Sequence, residues 1–247
     1  NNAIGSFSTP HLANVLRHNT TLLILDLAYN KIDSKGMLPL GEALRKYNST
    51  LTELNLTSNS IGSDATAHLA NALEHNTTLT KLHLGCDDSS EIGDAGIQCL
   101  STSLKTNTAL RHLILSNIQF SENAFLLLSD ALCKNSVLKS FSLYNIASLI
   151  KQNIEQLSNI LKCNVTLTKL NLEKCNLKDW ATPYLAAGLK RNNSLTTLNF
   201  KNNALGAISA EKFSTTIKNN SNLTALNLEG NPIYQQGRST LDKRIKF

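Results

Sequence analysis

The sequence predicts an α/β solenoid, with parallel strands on a concave face and helices on a convex face. Three observations predict it. The pattern L-x-x-L-x-L-x-x-N-x-I/L returns eight times, starting at Leu22, Leu51, Leu79, Leu110, Leu138, Leu167, Leu195 and Leu223. Within each copy the apolar spacing changes from alternate residues to i, i+4 pairs. An asparagine stands three residues before every first leucine: Asn19, Asn48, Asn76, Asn107, Asn135, Asn164, Asn192 and Asn220.

Each part of the repeat has a physical reading. The L-x-L part places successive side chains on opposite faces, so it forms a short strand with one buried side. The later pairs, such as Leu69 with Leu73, Leu128 with Leu132 and Leu185 with Leu189, share one helix face. Helices are wider than strands, so stacked strand–loop–helix units bend into a horseshoe. The asparagine before each strand is expected to end the helix in a left-handed conformation and to bond the local backbone. The later asparagines Asn30, Asn59, Asn203 and Asn231 form a ladder that satisfies loop backbone groups, with Cys175 in the same place of its repeat. The chain reads as one domain over 1–247, with a partial repeat over 1–21. Asn2-Ala3-Ile4-Gly5 matches the mid-repeat Asn203-Ala204-Leu205-Gly206. At the other end, Leu241 and Ile245 keep a helical spacing, and Lys243, Arg244 and Lys246 are expected to make that helix a polar cap.

Repeats of 28–29 residues, each with a full helix, resemble the ribonuclease-inhibitor-like leucine-rich repeats. The segments Asp64-Ala-Thr-Ala-His-Leu-Ala and Asp94-Ala-Gly-Ile, and helix ends such as Glu74-His-Asn-Thr-Thr-Leu, resemble leucine-rich-repeat effectors of Legionella. The first resemblance implies a horseshoe that wraps a partner protein and is able to cover an enzyme's catalytic cleft. The second implies an effector that holds or blocks a host protein, or a second effector, in the host-cell cytosol. No F-box-like segment precedes the repeats.

Composition narrows the classes further. No apolar run reaches the ~20 residues of a membrane helix, so membrane insertion is not expected. The five cysteines are odd in number and contain no C-x-x-C pair. They are therefore expected to be free thiols in a cytoplasmic protein, without disulfide or metal. Eight N-x-S/T sequons occur, most of them at the asparagine before the strand, and read as by-products of the repeat. There is no Walker loop, no G-x-G-x-x-G and no H-E-x-x-H. The expectation is a non-enzymatic monomer with no cofactor and no small-molecule substrate.

Deviations from the repeat, and side chains on the inner face, carry the functional reading. The third repeat is lengthened by Gly85-Cys-Asp-Asp-Ser-Ser-Glu-Ile, which brings Asp87 and Asp88 to the rim. Ile118 and Ile146 replace the ladder asparagine, with Asn117 and Asn145 one place early, so the local backbone is expected to differ there. The single tryptophan, Trp180, follows a strand at a position that is polar in other repeats. Residues 1–124 hold 8 Lys/Arg against 11 Asp/Glu, and residues 125–247 hold 16 against 7. The halves thus carry opposite charge, which suits the orientation of a charged partner. Strand alternation projects Glu53, Lys81, His83, His112, Ile114, Tyr144, Lys169, Glu173 and Lys201 from the inner sheet, with Tyr29 and Lys174 at the rim. With Asp87, Asp88 and Trp180, these are the expected partner-binding residues. Two other classes stay open. One is nucleic-acid binding through the basic C-terminal half, where Lys169, Lys174 and Lys201 cluster. The other is a hydrolase using His83, His112, Cys86 and Asp87 or Asp88, although an open sheet does not shield a substrate from water.

Overall fold

The computed structural model describes residues 4–86, 92–146, 149–233 and 243–246. The chain forms two compact units, Asn1–Leu138 and Lys139–Phe247. Their boundary falls at the first leucine of the fifth repeat.

In the first unit, strands β1 (Ile24–Asp26), β2 (Glu53–Asn55), β3 (Lys81–Gly85) and β4 (His112–Ser116) alternate with helices α1 (Thr9–His18), α2 (Ser34–Lys46), α3 (Ser63–His75), α4 (Gly93–Thr106) and α5 (Glu122–Lys134). All the strands pair in parallel and in repeat register. Ile24, Glu53, Lys81 and His112 align, as do Asp26, Asn55, His83 and Ile114. Between these rows Leu54, Leu82 and Leu113 point the other way and are buried with the helix leucines Leu69, Leu73, Leu100 and Leu104. The period of two thus separates an apolar side packed on helices from a polar side open to solvent.

The second unit repeats the scheme with β5 (Ser140–Tyr144), α6 (Lys151–Cys163), β6 (Lys169–Asn171), a single 3-10 turn at Asp179–Ala181, α7 (Thr182–Leu189), β7 (Thr197–Asn199), α8 (Ala207–Lys218), β8 (Ala225–Asn227) and β9 (Ile245–Lys246). Ser140, Lys169, Thr197 and Ala225 align across the first four of these parallel strands.

Asn19, Asn76, Asn107, Asn135 and Asn164 end their helices, whereas Asn48, Asn192 and Asn220 follow the C-cap residue by one or two places, and none takes the expected left-handed conformation. Asn76 has φ −77° and ψ 128°, and Asn107 and Asn135 are similarly extended. The reason is that the side chain does the work. Asn76 Oδ1 accepts from the N–H groups of Thr78 (3.0 Å) and Leu79 (2.7 Å), while its Nδ2 donates to the carbonyl of Leu44, which ends the preceding helix (2.8 Å). Asn48, Asn107 and Asn135 make the same bridge to Leu16, Leu73 and Leu104, and in the second unit Asn192 and Asn220 make it to Leu161 and Leu189. Each bridge satisfies an orphan helix carbonyl and ties one repeat to the next. These amides are buried, which accounts for sequons at Asn48, Asn76 and Asn192 without any role for a glycan.

The left-handed residue lies elsewhere, seven places after the first leucine in seven of the eight repeats, the third with Cys86 excepted. Tyr29, Ser58 and Asn117 take φ of 60°, 57° and 52° in the first unit; Asn145, Lys174 and Asn202 take 57°, 57° and 54° in the second, and Gly230 takes 72°. Asn117 and Asn145 therefore sit where asparagine is better tolerated than most residues. Ile118 (3% exposed) and Ile146 (1%) simply fill the buried ladder position. The left-handed turn is kept, and the backbone differs in the strand before it: β4 and β5 run five residues, against three in the repeats with a ladder asparagine.

Two further expectations are corrected. Ile245 is not helical: β9 runs parallel to β8, with Leu226 N–H donating to Arg244 O (2.9 Å) and Leu228 N–H to Lys246 O (2.7 Å). A strand wins because β8 otherwise presents unpaired backbone groups along its edge. Leu241 lies outside the described residues. The cysteines are not all free. Cys86, Cys99 and Cys175 are thiols, whereas Cys133 of the first unit and Cys163 of the second are disulfide-bonded. No helix among the described residues is long and apolar enough to cross a membrane.

Candidate protein-binding face

In the first unit the exposed rows of β2 and β3 bring Glu53, Lys81 and His83 together. Glu53 Oε1 lies 2.9 Å from Lys81 Nζ and 3.4 Å from His83 Nε2. The second approach does not have hydrogen-bond geometry, and Nε2 is buried without a hydrogen-bond partner. It becomes an ion pair only if the ring is protonated. Burial, and then the charge of Lys81, hold the His83 imidazole below its ordinary 6.5, against the opposing pull of Glu53 and Asp26. The ring is therefore neutral at pH 7. His112 and Ile114, on β4, are half-buried on the same face. Gly85 is buried; a Cβ there would lie 2.0 Å from Ser116 Oγ, so glycine permits the close approach of β3 to β4. Tyr29 is exposed in the left-handed turn after β1. Asp87 and Asp88 lie outside the described residues.

The second unit joins Tyr144 to Lys174. The Lys174 ammonium donates to the Tyr144 hydroxyl (2.8 Å) and lies 5.2 Å from the ring centroid. Glu173 accepts from Asn199 Nδ2 and Asn202 Nδ2, both at 3.2 Å. Lys201 donates to Glu229 Oε1 (3.0 Å), and Lys246 lies 3.7 Å from the other oxygen, so the two lysines hold the Glu229 carboxyl below its usual range. Asn171 Nδ2 donates to Ser142 Oγ, and Asn199 Nδ2 to Asn171 Oδ1, which makes a row of linked amides across the face. Ser142 is buried in that row rather than projecting freely. Lys169 is exposed and makes no ion pair among the described residues. Trp180 is 41% exposed on the 3-10 turn, and no hydrogen bond ties it to the Tyr144–Lys174 pair.

The amide row and the Glu229 pairings were not singled out from sequence. The signal was there: asparagine recurs four places after the first leucine at Asn55, Asn171, Asn199 and Asn227, and Glu at six places at Glu173 and Glu229.

As chemistry, these faces offer directional hydrogen bonds and fixed charges. Of the groups in the hydrolase reading, Cys86 is buried, and beside His83 the Glu53 carboxylate is engaged by Lys81. Among the described residues no cluster of His, Cys, Asp or Glu has metal-binding geometry. A depression of about 120 Å³ lined by Leu38, Gly41, Glu42, Arg45, His68 and Asn71 lies on the helix layer at α2 and α3. It is smaller than the several hundred Å³ of ordinary small-molecule sites.

The leucine-rich-repeat family pattern matches residues 18–41, 47–65, 75–101, 191–214 and 219–241. The fold is that of the α/β leucine-rich repeats. The leucine-rich repeats left unmatched, over 102–190, are those with Ile118, Ile146 and Cys175 in the ladder. Among curated relatives, NACHT, LRR and PYD domains-containing protein 9 of Bos taurus is 33% identical over 180 residues, covering 72% of this chain and 18% of its own length. Protein 12 of that series from Mus musculus is 34% identical over 145 residues, covering 58% of this chain and 14% of its own length. The chain thus spans less than a fifth of either relative. In solved structures, a Bacteroides fragilis protein superposes with TM-score 0.58 at 10% identity, over 96% of this chain and 68% of that one. The leiomodin-1 actin-binding site 2 gives 0.52 at 18%, over 62% and 86%. These likenesses concern the fold.

Proposed function

We propose that this leucine-rich-repeat chain is a non-catalytic protein-binding module whose partner lies on the sheet face opposite the helices. The observation that carries the reading is preorganisation. The side chains of that face are polar and partly exposed, yet already held by one another, as in Asn171–Asn199, Tyr144–Lys174 and Glu53–Lys81. Held side chains lose less entropy when a partner docks. The recurrence of the sequence repeat from Leu22 to Leu223 supports treating residues 1–247 as one domain. In its narrower form the module covers an enzyme's active site, and as a bacterial effector it holds a host protein or second effector.

The test starts from a partner captured with the whole chain and then measures affinity by calorimetry. Tyr144→Ala and His112→Ala are expected each to cost about 2 kcal/mol, as anchor residues do. Lys190→Ala, on the helix side, is expected to change nothing. If both anchors bind like the unaltered chain while Lys190→Ala fails, the sheet-face reading is overturned. A cytoplasmic location, the host cytosol in the effector form, is supported by the thiols of Cys86, Cys99 and Cys175 and opposed by the disulfide-bonded Cys133 and Cys163. Non-reducing peptide mapping of chain taken from cells decides it: reduced Cys133 and Cys163 keep the location, oxidised ones remove it. A second reading, nucleic-acid binding, rests on the basic second unit and is tested below.

A further inference from the structure

Residues 139–247 hold 15 Lys/Arg against 6 Asp/Glu. On the sheet face of this unit the carboxylates of Glu173 and Glu229 are already occupied. Glu229 is gripped by Lys201 and Lys246, and Glu173 by two asparagine amides. Lys169 and Lys174 are left without a carboxylate partner among the described residues. Lys174 is nonetheless held in place by the Tyr144 ring and hydroxyl. An exposed cation at the start of β6 and a fixed one in the left-handed turn beyond it therefore flank the amide row and the Glu173 carboxylate that Asn199 and Asn202 hold.

We propose that this face receives an acidic peptide segment of the partner, with carboxylates meeting Lys169 and Lys174. The proposal rests on the protein-binding reading and names its partner chemistry. Lys174 lies five positions after Lys169, the last three beyond the strand, so the strand rise sets an upper limit of roughly 16–17 Å on their spacing and the turn shortens it. An extended peptide matches that span with carboxylates four residues apart, which also lie on one side of the peptide. The amide row supplies donors and acceptors to the backbone between them. Nucleic acid fits less well. A single strand needs closely spaced cations and open aromatic faces. Here Tyr144 already carries Lys174, and Glu173 and Glu229 would meet a continuous phosphate backbone with like charge.

The experiment uses the whole chain and a fluorescein-labelled nine-residue Gly/Ser peptide with Glu at its third and seventh places. The same peptide with Gln at both places is the control, and a nine-nucleotide single strand is the competitor. Fluorescence anisotropy at low salt is expected to show binding of the Glu peptide and about tenfold weaker binding of the Gln peptide, with the difference fading as salt screens the charges. Exposed pairs are modest, so Lys169→Ala and Lys174→Ala are each expected to weaken binding about threefold and together about tenfold. The double variant Lys190→Ala/Lys212→Ala removes the same charge from exposed helix positions and is expected to leave affinity unchanged. Thermal melts of each variant confirm folding. Equal binding of the Glu and Gln peptides, binding of neither, equal loss in the two double variants, or an oligonucleotide that outcompetes the peptide each overturns the proposal. The broader reading has a separate failure, since it depends on the captured partner and on Tyr144 and His112.

Discussion

Asn203 and Ile146 occupy the same place in their repeats and are both buried, yet they solve the turn differently. Asn203 Oδ1 accepts from the N–H groups of Cys175 and Leu177 (both 3.0 Å), and its Nδ2 donates to the carbonyls of Leu172 and Phe200 (both 2.8 Å). Asn59 in the first unit does the same for Asn30, Ile32, Leu27 and Leu56. Ile146 has no such groups; it contributes apolar burial, and its left-handed neighbour Asn145 keeps the turn. Cys175 lies between these extremes. Its thiol donates to Leu143 O (3.2 Å) and receives a backbone hydrogen bond from Ile146, so it imitates part of the amide. The contrast teaches that the left-handed turn defines the repeat, while the ladder side chain decides how tightly that turn is tied to its neighbour.

The largest expected effect tests that division directly. Asn203→Ala leaves two buried N–H groups and the Leu172 carbonyl without this partner, while Phe200 O keeps Asn231 Nδ2 (2.9 Å), and unsatisfied buried groups cost about 1–3 kcal/mol each before relaxation. A loss of about 4 kcal/mol is expected in urea unfolding. Ile146→Val removes one methylene and is expected to cost about 1 kcal/mol. If Asn203→Ala costs no more than Ile146→Val, the ladder is not what ties the repeats.

Cys175 gives an intermediate effect. Cys175→Ala is expected to cost about 2 kcal/mol, combining a small cavity with lost hydrogen bonds. Burial pushes this thiol up from 9.0 to about 12. The unfolded thiol therefore ionises near pH 9 while the folded one keeps its proton, so stability contributed by the site falls as pH rises from about 9 toward 12. Alkylation of the folded chain at pH 8 is expected to label the half-buried Cys99 and spare Cys175. Labelling of Cys175 at the rate of Cys99 would show a site more open than the ladder requires.

Much of this was legible because the repeat multiplies each signal. Eight leucine starts fixed the strands, and the row alternation put Glu53, Lys81 and His83 on one face. The helix-ending asparagines were legible as caps, but not their backbone, since a side-chain amide can bridge from an extended residue as well as from a left-handed one. Ile245 was misread because one i, i+4 pair does not outweigh the unpaired edge of β8. The odd cysteine count left room for the bonded state of Cys133 and Cys163. Tyr144 and Lys174 were each legible as exposed, but their pairing was not. It depends on the left-handed turn at Lys174, which returns its side chain over the neighbouring strand.

The smallest expected effect concerns the first unit's face, where ladder and cluster meet least. His83 sits below 6.5 because burial and Lys81 disfavour its charged form, and Glu53 and Asp26 only partly offset them. Removing the negative neighbour with Glu53→Gln should therefore move the imidazole pKa further down. Removing the positive one with Lys81→Met should move it up. Both shifts are readable from imidazole proton chemical shifts during an NMR titration. The folded ring binds fewer protons than the unfolded one below pH 6.5, so its contribution to stability is present above that pH and is lost as pH falls. Glu53→Gln should steepen that loss and Lys81→Met should flatten it. Should Glu53→Gln raise the pKa instead, Glu53 would not be acting on His83 through its charge. The 3.4 Å approach would then be incidental packing beside the Glu53–Lys81 pair.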